Sequence, residues 1–223
     1  MLPSQTVENY LKSIYLAEAM LAGDRQLVPM GQLASALGVT PGTATTMVKT
    51  LAESGLAHYE PYAGVRLTPA GQKLASMVLR RHRLIELFLV KVLGMSWAEV
   101  HDEAEHLEHA VSDRLIDRID EMLGRPTTDP HGDPIPTAEE HVEPSEAQDL
   151  LTCAMDVPVR VSRVLDQDAQ FLHFVEASGL KPGQDFIVHA RDEAADRVSL
   201  RHADGRVTTI GARAAAKILA RPV

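Results

Sequence analysis

Apolar residues in the first 21 positions recur at helical spacing. Tyr10, Leu11, Ile14, Tyr15 and Ala17 fall on one face, with Glu8, Lys12 and Glu18 between them. This predicts an amphipathic helix over 6–21. A polar stretch at 23–26 leads to a short strand, Leu27-Val28-Pro29, and then to a helix from Met30 to Leu37 that ends on Gly38, the residue favoured just past a helix end. Thr40 followed by Pro41 is an N-cap with proline at the first helical position, and the helix it opens continues through Ala52 to Ser54-Gly55. Two alternating segments, Leu56 to Glu60 and Val65 to Thr68, joined at Ala63-Gly64, predict a hairpin. Helix, short strand, helix, glycine turn, helix and hairpin is the order of a winged helix-turn-helix.

From Thr68-Pro69 a helical pattern runs to about Val92, with Leu74, Met77, Val78, Leu84, Leu87, Phe88 and Val92 as its apolar positions. Ser96, with Glu99 three residues later, has capping-box spacing and predicts a helix to about Leu107. Another is expected from Val111 to Leu123, ended by Gly124-Arg125-Pro126. The proline-rich Arg125 to Pro136 and the polar residues to Glu146 read as an irregular connector. Beyond it the period changes from helical to alternating. Strands are expected at Val157–Leu165, Phe186–Ala190, Val198–Arg201 and Val207–Ile210, with a turn at Asp204-Gly205 and a lone helix over Asp168–Ser178. The expected architecture is mainly α with a small all-β domain. It comprises a winged helix over 1–74, a helical domain with its connector over 75–143, and an SH3-like β-barrel over 150–223.

Charge modifies this picture. The chain of 223 residues has a formal net charge of −9, which at first opposes nucleic-acid binding, since Lys and Arg drive that association by releasing counterions. The acidity is uneven. Residues 1–74 carry five basic and five acidic groups, 75–143 carry seven and fifteen, and 144–223 carry ten and eleven. A near-neutral DNA reader can coexist with an acidic centre that faces away from DNA or binds cations. No apolar run is long enough to cross a bilayer, and Met1 to Gln5 lacks the regions of a signal peptide, so a cytoplasmic protein is expected. The single Cys153 has no partner for an internal disulfide or a thiolate zinc finger and reads as a small buried residue.

Candidate chemistry falls in two places. The helix opened by Thr40 is the candidate recognition helix. Thr40, Thr43, Thr45 and Thr46 can meet phosphates or base edges, Lys49 can neutralise a phosphate, and Arg66 on the hairpin can reach the backbone as part of a wing. The second place is His101-Asp102-Glu103-Ala104-Glu105-His106-Leu107-Glu108-His109. On a helix Glu105, Glu108 and His109 share a face, with His101 one turn earlier. His82 and Glu86, four residues apart on the preceding helix, also project together. Two helices that each offer imidazole and carboxylate can close a site for a divalent cation. Neither His-Glu-x-x-His nor its inverted form is present, which disfavours metal-dependent hydrolysis. Two other readings fit the same residues: a winged-helix regulator that senses an organic ligand, and a metal-storage or metalloenzyme bundle.

At these residues the chain resembles the diphtheria-toxin-repressor and manganese-transport-regulator family of iron- and manganese-dependent transcriptional regulators. The resemblance rests on Val7-Glu8-Asn9-Tyr10-Leu11 with Ile14-Tyr15, on Arg81-His82-Arg83-Leu84 with Glu86, on His101-Asp102-Glu103-Ala104 with Glu108-His109 and Ser112-Asp113, and on Pro130-His131-Gly132 with Pro134-Ile135-Pro136. It implies a homodimer that binds double-stranded palindromic DNA, probing successive major grooves when metal is bound, and a FeoA-like third domain. It implies no catalytic role, no membrane and no small organic substrate. Carried over by position, it implies two metal sites per subunit, one of His82, Glu86 and His101, the other of Glu105, Glu108 and His109. Position 105 is cysteine in the iron-responsive branch and glutamate in manganese-responsive members, so Glu105 points to Mn(II), with Fe(II) as the alternative. Asn9 stands where the family has a Met or Asp ligand. Gln167 and Gln170 stand near the places where the third domain of iron-type members adds ligands.

Overall fold

The computed structural model describes residues 4–21, 27–137 and 147–223. The polar stretch expected at 23–26 and the end of the connector, 138–146, lie outside the described residues. The chain divides into two compact units, Met1–Arg81 and His82–Val223.

In the first unit, α1 (Gln5–Ala19) starts where the Ser4 hydroxyl accepts from the Val7 amide, and it buries Tyr10, Leu11, Ile14 and Ala17. It is followed by α2 (Met30–Ala36) and α3 (Pro41–Glu53). The Thr40 cap is formed as expected, its hydroxyl accepting from the Thr43 amide. The hairpin is β1 (Ala57–Glu60) against β2 (Gly64–Leu67), with His58 opposite Arg66 and Tyr59 opposite Val65. Val28 bridges to Val65, so the short expected strand is a single bridge on the edge of the wing. Gly64 allows this close approach. Its φ is 145°, and a Cβ there would lie 2.4 Å from the Val28 carbonyl oxygen. Leu11, Ile14, Val28, Leu33, Val48, Leu51, Val65 and Leu67 form one apolar interior.

Helix α4 (Pro69–Lys91) continues into the second unit. There α5 (Val100–Leu107) and α6 (Asp113–Met122) follow, the latter capped by the Ser112 hydroxyl on the Leu115 amide. Leu84, Ile85, Leu89, Val100, Ala104, Ile116, Ile119 and Ile135 pack as one cluster. The capping box expected at Ser96 and Glu99 does not form. Helix α5 begins four residues later, Glu99 stands at its N-cap without a side-chain cap bond, and the Ser96 hydroxyl accepts from Ala98. The cause is Trp97, which is buried in the interior of the β domain and whose ring stacks on His131. Burial of an indole outweighs a cap by area alone.

The remaining strands are β3 (Gln148–Asp149), β4 (Pro158–Val164), β5 (Asp185–Asp192), β6 (Arg197–His202), β7 (Val207–Gly211) and β8 (Ile218–Pro222). They form one antiparallel sheet in the order β3-β8-β4-β5-β6-β7. Helix α7 (Ala169–Ala177), capped by Asp168, and the short α8 (Ala212–Ala215) pack with it. The four strands expected from alternation are present. Strand β8, which pairs with both β3 and β4, was not expected, and α8 means that the helix at 169–177 is not alone. Cys153 is buried and its thiol is free. Among the described residues no helix is long and apolar enough to cross a membrane.

Candidate metal centre and nucleic-acid interface

The residues with metal-ligand chemistry come together in the second unit around His82. Its ring is 4% exposed and both nitrogens face carboxylates: Nδ1 lies 2.6 Å from Glu108 Oε2, and Nε2 lies 3.0 Å from Glu86 Oε1. His101 Nδ1 is 3.2 Å from His82 Nε2 and 3.3 Å from Glu86 Oε1, and His101 Nε2 is 3.8 Å from Glu105 Oε1. One group of converging donors is therefore His82, Glu86 and His101, and a second is His82, Glu105 and Glu108. The i,i+4 spacing of His82 and Glu86 on α4 places that pair as expected. The second group differs from the spacing argument because α5 ends at Leu107 and Glu108 is its C-cap. His109 thus lies beyond the helix. Its Nε2 is 3.4 Å from Glu108 Oε1, while His82 takes the place beside Glu105 and Glu108.

The expected ligands Gln167 and Gln170 are placed differently. The Gln167 amide donates to Asp133 Oδ2 at 2.8 Å, and Gln170 is exposed at the start of α7. The reason is the buried Asp133 carboxylate, which gathers Gln167, Arg83 and Arg163 around it. In the first unit, the amide oxygen of Asn9 is buried and has no hydrogen-bond partner among the described residues.

The sequence reading gave no role to Asp129 and His131, yet both are buried beside Glu86. His131 Nδ1 is 3.7 Å from Glu86 Oε2, and its Nε2 donates to the Trp97 carbonyl at 2.8 Å. Glu86, Asp129 and His131 make a third group of converging donors. The only sequence signal is the Pro130-His131-Gly132 run inside the proline-rich connector, whose composition does not announce burial. Electrostatics mark the same region. Burial pushes Glu86 up, but the imidazoles of His101, His131 and His82 outweigh it and hold the carboxyl well below the usual range. Burial, with Asp133 and Glu86 nearby, pushes Asp129 up to about 7. Burial lowers His131, while the adjoining Glu86 and Asp129 more than offset it and raise the imidazole.

These donors suit a divalent first-row cation. They are carboxylate oxygens and imidazole nitrogens without a thiolate, a set that fits Mn(II) or Fe(II) better than a soft ion. The buried Glu86 Oε2 has no hydrogen-bond partner, which is what a carboxylate lacking its cation leaves behind. The bound cation would supply positive charge that lets these acids and imidazoles share one buried volume.

In the first unit Thr40, Thr43, Thr46 and Lys49 are exposed on or beside α3, Thr45 is partly so, and Arg66 is exposed on β2 opposite His58. The threonines are not idle. Thr45 and Thr46 donate their hydroxyl hydrogens to the carbonyls of Pro41 and Gly42, at 2.7 and 3.0 Å, and the Thr40 and Thr43 hydroxyls bond each other at 2.9 Å. Tyr62, which the sequence reading passed over, stands fully exposed at the tip of the wing with φ 66°.

Comparison with known proteins places this geometry. Family models match an iron-dependent repressor N-terminal DNA-binding domain over 3–65, an iron-dependent repressor metal-binding and dimerisation domain over 68–137, and a FeoA domain over 150–222. The chain is 31% identical over 189 residues to the diphtheria toxin repressor of Corynebacterium efficiens, covering 80% of each. It is 34% identical over 122 residues to the transcriptional regulator MntR of Lysinibacillus sphaericus, covering 55% of this chain and 84% of that one. Among solved structures, a manganese-dependent transcriptional repressor in complex with manganese matches with a TM-score of 0.86 and 41% identity, over 97% of this chain and all of that one. ScaR with bound zinc matches at 0.78 and 31%, over 99% of this chain and all of that one. With a DNA-binding domain, a donor-lined helical domain and a FeoA domain in this order, the chain belongs to the iron-dependent repressor family of metal-dependent, DNA-binding transcriptional regulators, which are not enzymes.

Proposed function

We propose that this chain is a manganese-responsive repressor of metal-uptake genes, acting in the cytoplasm as a homodimer on palindromic operators. The observation that carries the metal assignment is the donor set around His82, in which Glu105 and Glu108 supply hard carboxylate oxygens and no thiol is present. Two Mn(II) sites per subunit follow from the two donor groups that share His82. His109, beside Glu108, completes the ligand shell of the second, and by family resemblance Asn9 is a further candidate ligand.

The working parts are the side chains. Glu105, Glu108, Glu86, His82 and His101 hold the cation, and the neutral form of each imidazole offers its lone pair. Thr40, Thr43, Thr45, Thr46 and Lys49 on α3, with Arg66 on the wing, meet the duplex. Control is by linkage: if metal binds the operator-competent arrangement more tightly, its occupancy raises operator affinity by the same coupling free energy. Such couplings are worth about 1–3 kcal/mol, or roughly 5- to 150-fold.

Titration of Mn(II) into chelator-treated protein with a palindromic duplex at fixed salt tests the reading. The expected outcome is a rise in operator affinity that Glu108→Ala with His109→Ala removes. Metal-independent operator binding, or a response to Fe(II) alone, would overturn the manganese assignment.

A further inference from the structure

Side chains along β4 and β8 alternate between the two faces of the sheet. Val159, Val161, Ile218 and Ala220 enter the apolar interior, and Arg160, Ser162, Leu219 and Arg221 lie on the other face. That outer face is one wall of a cavity of about 740 Å³, bounded also by residues 127–134 of the loop and by Leu87, Val90 and Lys91 at the end of α4. Cavities of this size hold small organic molecules. None of His82, Glu86, His101, Glu105, Glu108 and His109 lines it.

The charge of the lining is one-sided. Lys91, Arg160, Arg163, Lys181 and Arg221 contribute to it, against the single carboxyl of Asp129, which is buried and accepts from the amides of His131 and Asp133. Three of the cations are answered from outside the cavity: Arg160 by Asp185 at 2.6 and 2.8 Å, Arg163 by Asp133, and Lys181 by Glu176 at 2.7 Å. Lys91 and Arg221 are exposed and have no ion pair or side-chain hydrogen bond among the described residues. Strand register adds a second observation. Arg160 and Arg221 are direct partners across β4 and β8, and like charges set opposite one another destabilise a strand pair. Asp185 stands opposite Arg160 on β5, so it serves Arg160 and leaves Arg221 unanswered. The pair with Asp185 uses the Nε and Nη2 donors of Arg160, and Nη1 stays available to a further acceptor. An anion between Arg160 and Arg221 would turn their repulsion into a shared attraction. Beside these cations lie Leu87, Val90, Pro130, Pro134 and Leu219, an apolar surface that rewards an organic body and not a bare inorganic ion.

We propose that this cavity binds a small phosphorylated organic molecule, its phosphate held by Lys91, Arg160 and Arg221 and its apolar body laid against Leu87, Val90 and Leu219. A phosphate suits these side chains because guanidinium groups bond its oxygens in pairs and an ammonium group adds a point charge. Bound there, the molecule ties the end of α4, the helix that carries His82 and Glu86, to the outer face of the sheet. It acts as an effector, not a substrate, and any change it makes to metal affinity is matched by the change metal makes to its own. The site does not depend on which metal the donors around His82 hold.

Trp97 is the single tryptophan and lines the cavity, so its fluorescence reports occupancy. Phenyl phosphate is titrated into the metal-free full chain at low salt, with inorganic phosphate and phenol as its two halves. It is expected to give a saturable change at lower concentration than either half, a comparison that needs no variant. Lys91→Gln with Arg221→Gln removes two exposed charges, with circular dichroism as the check on folding. This pair is expected to weaken binding by about tenfold or more, the worth of a lost charge-assisted hydrogen bond. Arg118→Gln with Arg213→Gln makes the same change in net charge at exposed positions away from the cavity and is expected to leave binding unaltered. Absence of saturation, equal weakening by both double variants, or inorganic phosphate binding as tightly as phenyl phosphate would overturn the proposal. Displacement of phenyl phosphate by duplex DNA would overturn it as well, by giving these cations to a nucleic acid. None of these results bears on the Mn(II) response of operator binding.

Discussion

In the N-terminal unit the polar side chains of α3 are satisfied by their own backbone. Thr45, Thr46, Thr50 and Ser54 each give a hydrogen to the carbonyl four residues earlier. The interior beneath them is apolar, from Leu11 to Leu67. In the second unit the interior holds Glu86, Glu108, Asp129, His131 and Asp133 beside Ile85 and Leu84. Several of the oxygens and nitrogens there lack a hydrogen-bond partner, Glu86 Oε2 and His131 Nδ1 among them. The winged helix is thus a structure complete without an added ion, whereas the donor-lined unit leaves buried acceptors unanswered, at a cost of about 1–3 kcal/mol for each unsatisfied group. The first unit has two buried side-chain atoms without a hydrogen-bond partner among the described residues, the Tyr10 hydroxyl and the Asn9 amide oxygen, both on α1. Asn9 is the one of the two that the sequence marks as a candidate ligand.

The sharpest way to break this contrast is to damage each unit and ask whether metal matters. Leu51→Ala in the winged-helix interior is expected to cost about 2–5 kcal/mol, equally in chelator and in Mn(II), by circular dichroism during denaturation; rescue by Mn(II) would contradict the contrast. Next in size is metal itself. Mn(II) at a hundredfold its dissociation constant should stabilise the second unit by about 2.7 kcal/mol. The single Trp97, buried in that unit, reports it by fluorescence, and coincident unfolding curves with and without Mn(II) would count against it.

A smaller effect, on the order of 1–3 kcal/mol, is expected for Asp129→Asn in chelator. The folded-state pKa of Asp129, about 7, lies above its ordinary value, so the folded protein binds this proton more tightly. Wild-type stability from this group is therefore full at low pH and declines as pH rises from about 4 to 7. Asn has no such proton, so the variant should gain on the wild type across that window and level off above it. A difference independent of pH would show that Asp129 is not the source. Thr40→Ala, which removes the α3 cap, is the smallest, about 1 kcal/mol, unaltered by Mn(II) in the same denaturation assay.

The same contrast explains what could be read from the chain. Local rules placed α1, α3, α4 and the hairpin, because Thr40-Pro41 and the apolar spacing act within a few residues. The spacing of His82 and Glu86 on one helix was legible for the same reason. What escaped depended on distant contacts. Trp97, drawn into the β interior, shifted the start of α5, and the early end of that helix left His109 beside Glu108 but beyond the helical face, with His82 joining Glu105 and Glu108. Strand β8 escaped because Ile218 to Pro222 is short, follows alanines and ends on proline, so its partners β3 and β4 define it. Asp129 and His131 sit in a proline-rich loop whose burial no local pattern announces.

The back-bonded threonines of α3 fix how that helix can speak to a duplex. A hydroxyl has one hydrogen and two lone pairs. With the hydrogens of Thr45 and Thr46 given to Pro41 and Gly42, the helix turns outwards as a row of acceptors and methyl groups. Phosphate oxygens, acceptors themselves, gain nothing from the Thr45 and Thr46 hydroxyls. The amino groups of adenine and cytosine and the methyl of thymine do. For Thr45 or Thr46 to donate to a phosphate, the side chain would have to let go of its own helical turn, so on this helix that task falls to other groups such as the exposed Lys49.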